Sequence, residues 1–329
     1  MSGAPHAAMG LLVLLCAALA CGPRPPTTQT RPGDAVRIVA VDVGQGDCSL
    51  VLGPDGTTIL IDGGGPSRQD AVWAAVDAYS GGRVDHVVVT HYDADHLGGL
   101  SSFLLGADGR AGTDDDGAAG ATIWDYGDDG SCTTQTCDRY RQSRTLRGAQ
   151  ATVGQRFPLG DAELVVVAVN GQLPDGTRVP VLDENERSVT VVLSHGVFRA
   201  LLGGDLTGGG NGTADVETPL ARQVGRVDVL KVNHHGSETS TNQMALALWA
   251  PRAAVLSLGT DNTYCHPAAT VVDRLGQTGA ALFATGQGIT SAGRCGATTW
   301  PLAATVGVGD VVVDGFRDGE VRVDGNTIP

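Results

Sequence analysis

The sequence predicts one α/β domain built as a four-layer α/β/β/α sandwich, and three observations carry that prediction. Glycine is abundant, 48 of 329 residues, while aromatic residues make up only 4%, which suits short strands and helices joined by tight turns, not a long helical bundle. Apolar runs of strand length alternate with helically spaced segments in two mostly β halves. No linker-like stretch follows residue 33, so the halves share one core. A 42% hydrophobic content over this length is enough to bury it.

Arg37 to Val43, Ser49 to Gly53 and Thr57 to Ile61 read as a β-meander, the last two joined by the Pro54-Asp55-Gly56 turn. Ser67 to Tyr79 has helical spacing of Ala71, Ala74, Ala75 and Ala78, and the strand Asp85 to Thr90 runs into His91. Further strands are expected at Thr122 to Asp125, Glu163 to Val169, Ser188 to Ser194, Val197 to Leu202, Val227 to Val232, Ala253 to Ser257 and Ala281 to Ala284, with helices between several of them. Val311 to Asp314 and Glu320 to Val323 read as a closing hairpin. The domain is expected to span 34–329 with an acidic insertion at 106–120. There Asp108, Asp114 and Asp116 among glycines could wrap Ca²⁺. The insertion lacks the twelve-residue EF-hand pattern, and a solvated acidic loop is the other reading.

Residues 1–20 contain no Lys, Arg, Asp or Glu and hold the apolar run Gly10 to Ala20. The run fits an export signal and is short for a membrane span. Ala18-Leu19-Ala20-Cys21 resembles a lipobox, so cleavage would leave a lipidated Cys21 on a Pro/Thr-rich tether, 21–33. The usual positive n-region is missing, and an ordinary signal peptide cut nearby is the other reading. Localisation outside the cytoplasm, with membrane contact through the lipid alone, is expected. In that oxidising compartment Cys132 and Cys137 would pair, as would Cys265 and Cys295, leaving Cys48 a free thiol in a strand. No pair of Cys-x-x-Cys units supports a thiolate zinc site. The formal net charge of −14 argues against strong general affinity for nucleic acid.

The chemistry concentrates in Thr90-His91-Tyr92-Asp93-Ala94-Asp95-His96-Leu97-Gly98-Gly99. Four hard or borderline ligands within six residues at a strand end can converge if the chain turns sharply, which Gly98 and Gly99 would permit. A divalent cation held there lowers the pKa of water and polarises a scissile oxygen, so hydrolysis is the expected outcome. Asp93 among imidazoles hardens the site toward Mn²⁺ or Mg²⁺ relative to Zn²⁺, and Mn²⁺ or Zn²⁺, one or two ions, is expected. The Gly-x-Ser-x-Gly elbow of serine hydrolases is absent around Ser237.

This run resembles the metallo-β-lactamase motif His-x-His-x-Asp-His, with Asp93 in place of the second histidine, the variant of the hydrolase domain of ComEC/Rec2 competence proteins. The resemblance extends over most of residues 37 to 290. It includes Asp42-Val43-Gly44-Gln45-Gly46-Asp47, Leu60-Ile61-Asp62-Gly63-Gly64, Asn185-Glu186-Arg187-Ser188 and Leu202-Gly203-Gly204-Asp205. Lys231-Val232-Asn233-His234-His235-Gly236-Ser237 and Asn262-Thr263-Tyr264-Cys265-His266-Pro267 complete it, with Cys48 and Cys265 as departures and no separate third-motif histidine.

The resemblance implies that His91 and Asp93 serve one metal position and Asp95 and His96 the other. Asp205 would bridge them, and His234 or His235 would close the site. Asp62 would orient a ligand histidine, with Gln45, Asp47 and Asn185 around the ligands. Asp95 would act in catalysis, while Lys231 and His266 would contact a phosphate or leaving group, since charged Lys has no lone pair to donate. Open beside these roles are a surface charge for Lys231, a helix cap for His266 and a turn residue for Asp205. His86 and His195 are expected to be structural. The function implied is a metal-dependent hydrolase, foremost a phosphodiesterase or nuclease acting on DNA or a small phosphodiester. Hydrolysis of small esters or lactams, and a non-catalytic metal-binding surface lipoprotein, are the alternatives.

Overall fold

The computed structural model describes residues 31–329 except Ala292. The expected export signal, Cys16, Cys21 and most of the tether lie outside the described residues. In the first half, β1 (Ala35–Ala40), β2 (Cys48–Leu52) and β3 (Thr58–Asp62) form the meander. Then α1 (Gln69–Ser80), β4 (His86–Val88), α2 (Ala94–Leu104), β5 (Thr122–Asp125), α3 (Gln135–Arg147) and β6 (Gly148–Gln150) add parallel strands beside β3.

The second half opens with an antiparallel set, β7 (Arg156–Leu159), β8 (Ala162–Ala168), β9 (Thr190–His195) and β10 (Phe198–Leu202). A small ribbon follows, β11 (Gly208–Gly210) with β12 (Thr213–Asp215). Next come α4 (Glu217–Val224), β13 (Val229–Lys231), α5 (Gln243–Trp249), β14 (Ala253–Leu256), α6 (Ala269–Thr278), β15 (Ala281–Ala284) and β16 (Thr305–Val306). Strands β10, β13, β14, β15 and β16 run parallel. Finally β17 (Val311–Phe316), β18 (Val321–Val323) and β19 (Asn326–Ile328) return to the first sheet, β17 pairing antiparallel with β1. The result is a nine-stranded and an eight-stranded sheet.

The pleat explains the layers. In β10, β13 and β14, Ala200, Leu202, Val229, Ala253 and Val255 join the core shared with the first sheet. Their neighbours Leu201, Leu230, Ala254 and Leu256 join a second core with Leu220, Leu246, Trp249 and Leu275 of α4, α5 and α6. Alternate residues thus face the other sheet and the outer helices, and burial on both faces explains why these strands read as continuous apolar runs. Val72 and Val76 of α1 and Leu97, Leu100 and Phe103 of α2 cover the first sheet. The fold is therefore the αββα sandwich of the metallo-β-lactamase type.

One local expectation is corrected. Gly98 and Gly99 do not make a turn, since both lie inside α2. A Cβ on Gly98 would stand 2.4 Å from Pro66 N, and one on Gly99 2.2 Å from Gly63 O. The glycines let α2 press against the loop after β3, which fixes the ligand-bearing end of the helix.

Strands β1 and β17 are tied through Arg37 of β1, which donates from Nε and Nη2 to Asp314 of β17 at 2.7 and 2.8 Å, both residues buried. Asp314→Ala takes the carboxylate from a buried guanidinium and is expected to lower unfolding free energy by about 3–5 kcal/mol, measured by urea denaturation.

Candidate metal centre

The motif residues follow β3, β4, β10, β13 and β14 at their C-terminal ends, where parallel strands of both sheets leave room for a site. Asp62, the last residue of β3, adopts φ 58°. Its carboxylate accepts from Thr90 N at 2.8 Å and Thr90 Oγ1 at 2.6 Å, and lies 2.8 Å from His96 Nδ1. Asp93 is the residue before α2, yet its side chain makes no capping hydrogen bond. It lies instead 3.5 Å from His91 Nε2.

Four imidazoles share one arrangement. Each Nδ1 is held from behind: His91 by Thr90 Oγ1 at 3.0 Å, His96 by Asp62, His235 by Ser257 O at 3.0 Å and His234 by Thr239 Oγ1 at 3.3 Å. Each Nε2 faces Asp205, at 3.1 Å for His96, 3.5 Å for His235, 3.6 Å for His234 and 3.9 Å for His91. Among the described residues, three sets of donors converge closely enough for a metal ion: His91, His96 and Asp205; Asp95, His96 and His235; Asp47, Asp205 and His235. Asp93 and His234 border these sets without belonging to them.

The cluster fits a divalent cation. His91 Nε2 is buried without a hydrogen-bond partner, a costly state for a polar atom unless an ion or water meets it. The mixed imidazole and carboxylate donors suit borderline to hard ions. Burial opposes ionisation of Asp205, but the charges of His96, His235 and His234 hold its carboxyl well below the usual range. Burial likewise opposes charge on His96, while Asp205 and Asp62 raise its pKa well above the ordinary value. Asp95 is held down, against burial, by the hydrogen bond from His235 and the charge of His96. Carboxylates and imidazoles here favour one another's charged forms, the electrostatic setting that also favours a bound cation.

The twin histidines reach the cluster through strain. His234 and His235 both have positive φ, 49° and 52°, each costing about 1–2 kcal/mol for a residue with a Cβ. The preceding Asn233 anchors them. Its Nδ2 donates to Glu217 at 2.7 Å, and Glu217 also accepts from the backbone N–H of Thr241 and Asn242 at 2.6 and 2.8 Å. Thr90, Ser257, Asn233 and Glu217 had no assigned role from sequence. Thr90 was legible as the residue before His91, whereas Glu217 lies in a segment with no motif.

Other expected residues divide. Lys231 is not the surface charge left open above: its Nζ donates to Asp47 at 2.6 Å and both side chains are about 6% exposed. Asp47 is also 3.6 Å from His235 Nδ1. Gln45 Oε1 accepts from Gly259 N at 3.2 Å, pinning the loop after β1 across the site. Asn185 is buried beside Ser188, whose Oγ accepts from Asp205 N at 3.3 Å. The His266 ring lies 5.5 and 6.3 Å from those of His234 and His235. Burial and these two neighbours push it down to about 4, so it is a neutral imidazole at pH 7.

Away from the centre, His195 is buried against Gly315 O and His86 packs on Phe157. Disulfides join Cys132 to Cys137 and Cys265 to Cys295, and Cys48 is a buried thiol. Among the described residues Asp108, Asp114 and Asp116 form no close donor set, although the Asp108 and Asp116 carboxylates both approach Thr113 Oγ1, at 3.4 and 3.3 Å. Asp108 and Asp116 instead accept backbone N–H bonds from Arg110 and Gly112.

A family model described as the metallo-beta-lactamase superfamily matches residues 41–117. Over that segment, which carries the run from His91 to His96, the chain is similar to the metallo-beta-lactamase superfamily. Among curated proteins it is similar to recombination protein 2 of Haemophilus influenzae, at 27% identity over 73% of this chain and 26% of that one. It is also similar to competence protein ComA of Neisseria gonorrhoeae, at 24% identity over 77% of this chain and 31% of that one. The chain therefore spans about a quarter to a third of the length of these relatives. Among solved structures, CmlA, a diiron beta-hydroxylase from Streptomyces venezuelae, aligns with a TM-score of 0.43 at 14% identity, covering 76% of this chain and 52% of that one. Asp93 stands at the second-histidine position of the motif this run resembles, with its carboxylate 3.5 Å from His91 Nε2.

Glu217→Ala is expected to cost about 3 kcal/mol by leaving buried donors unpaired, read as a lowered Tm. Burial lifts the Glu217 carboxyl from its usual 4.5 to about 7. Its contribution to stability is therefore complete below pH 4.5 and is lost as pH rises through 7. The Tm advantage of wild type over Glu217→Gln should narrow across that interval.

Proposed function

We propose that the chain is a metal-dependent phosphodiesterase acting outside the cytoplasm. The observation that carries the reading is the ring of four imidazole Nε2 atoms around Asp205, each imidazole held from behind. His91 and Asp93 would hold one ion and Asp95, His96 and His235 a second, with Asp205 between them and His234 alongside. Mn²⁺ or Zn²⁺ suits this donor set. When bound, such an ion lowers the pKa of water and polarises the oxygen of the bond to be cleaved. The protein's own groups then position the substrate: His266, neutral, offers a hydrogen bond to the leaving side, and Lys231 keeps Asp47 ionised behind His235.

Similarity to proteins named for recombination and competence supports DNA or a smaller phosphodiester as substrate. The −14 charge favours short or single-stranded forms over duplex. The apolar run before Cys21 and the two disulfides support export and a lipid anchor. Among the described residues no helix is long and apolar enough to cross a membrane.

The deciding experiment loads the full chain carrying Cys21→Ser with Mn²⁺ or Zn²⁺ and follows cleavage of labelled single- and double-stranded DNA and of bis(p-nitrophenyl) phosphate. Cleavage should fall at least about 100-fold in Asp95→Ala. Hydrolysis of an ester or lactam but no phosphodiester would overturn the substrate class. Unchanged metal content and no hydrolysis by either protein would favour the metal-binding lipoprotein. Asp62→Asn should weaken metal binding about 10- to 100-fold by releasing His96. Binding should also weaken as pH falls, because protons compete for the imidazoles, a trend that calorimetry at pH 6 and 8 would register.

A further inference from the structure

Beside the metal centre lies a cavity of about 370 Å³ lined by Tyr264, His266, Glu238, Ile289 and Thr298 among others, with no Lys or Arg in its lining. Tyr264 stands at its mouth with 62% of its surface exposed. That exposure leaves much of the aromatic ring accessible to a ligand in the cavity. Its ring lies nearly parallel to that of His266, at 18° with centroids 6.0 Å apart. The His266 ring is in turn inclined by only 27° to that of His235, at 6.3 Å. Three rings therefore descend in steps from the open face of Tyr264 to an imidazole whose Nε2 faces Asp205.

The platform is firmly mounted. Asn262 closes the turn that carries it, donating to Gly259 O and His266 O at 3.1 and 2.6 Å and accepting from His266 N at 2.9 Å. The adjacent Cys265 has φ 67° and is bonded to Cys295 of the facing wall. The backbone that carries Tyr264 is thus fixed, and its ring rests beside that of His266, so ordering the platform on binding costs less.

We infer that Tyr264 is a specificity-determining residue that stacks a planar ring of the substrate, as a nucleobase is, while the anionic ester group sits at the metal centre. The lining supports this division: with Glu238 in the cavity and no basic side chain, a neutral ring is accepted there and a second phosphate is not. The cavity's size suits one ring-bearing unit and not a duplex. The inference rests on the phosphodiesterase reading for the anionic end only.

The test measures binding to the Mn²⁺-loaded full chain by calorimetry, using adenosine 5′-monophosphate, ribose 5-phosphate and adenosine with wild type, Tyr264→Ala and Tyr264→Phe. The monophosphate should bind about 5- to 150-fold more tightly than ribose 5-phosphate, the span of base stacking on an aromatic side chain. Tyr264→Ala should abolish that preference, Tyr264→Phe should keep it, and ribose 5-phosphate should bind all three proteins alike. Equal weakening of both phosphates in Tyr264→Ala, or no weakening of the monophosphate, overturns the platform. Adenosine binding that depends on Tyr264 without binding of ribose 5-phosphate would keep the platform and remove the phosphoester reading. Binding of neither adenosine nor the monophosphate overturns the platform itself.

Discussion

The carboxylate of Asp62 is the constraint on which the site depends. It ends β3, yet its three contacts reach the backbone and hydroxyl of Thr90 after β4 and the ring of His96 in α2. One buried carboxylate thus sets the stagger between two parallel strands, the approach of a helix and the orientation of the His96 ring. Thr90 extends the same control to His91 through its Oγ1. Two imidazoles are therefore oriented by a group that never faces the cluster, the arrangement by which outer partners tune metal ligands.

The second sheet answers from the other side. Asp205 follows β10 and the twin histidines follow β13, and these strands are parallel neighbours. Their C-terminal ends must therefore meet the ends of β3 and β4 across the sandwich. Backbone strain at His234 and His235 lets both of two consecutive side chains reach the cluster, which an extended strand with alternating directions would forbid. Buried Glu217, through Asn233 and two backbone N–H groups, holds that turn in place.

Charge is distributed with equal economy. Lys231 is the one Lys in the chain, and it is buried against Asp47 beside the centre. The walls on either side carry other chemistry. Toward Asp93, a cavity of about 420 Å³ is lined by Leu182, Arg187 and the Cys132 loop, with Arg187 already paired to Glu184 and Asp129. Toward His266 the wall offers Tyr264 with Glu238, Ile289 and Thr298. Both walls carry a disulfide, which holds loops that lack regular structure of their own.

What the sequence determined by itself was local. Strand and helix positions followed from apolar periodicity, so β5 and β15 match expectation at both ends. The cluster from His91 to His96 was legible because four residues of metal-ligating type stand within six positions. The short strands β6, β7, β11, β12, β16 and β19 were not anticipated, because two to four partly exposed residues leave too little periodicity. The tertiary structure alone decided the rest. Helix α2 begins inside the motif because its glycines meet the loop after β3. Lys231 turns inward because Asp47 lies 184 residues away in sequence and 2.6 Å away in space. Glu217 supports a turn it does not adjoin. Periodicity records which face of an element is buried, but the partner of a buried charge is chosen only when distant strands are brought side by side.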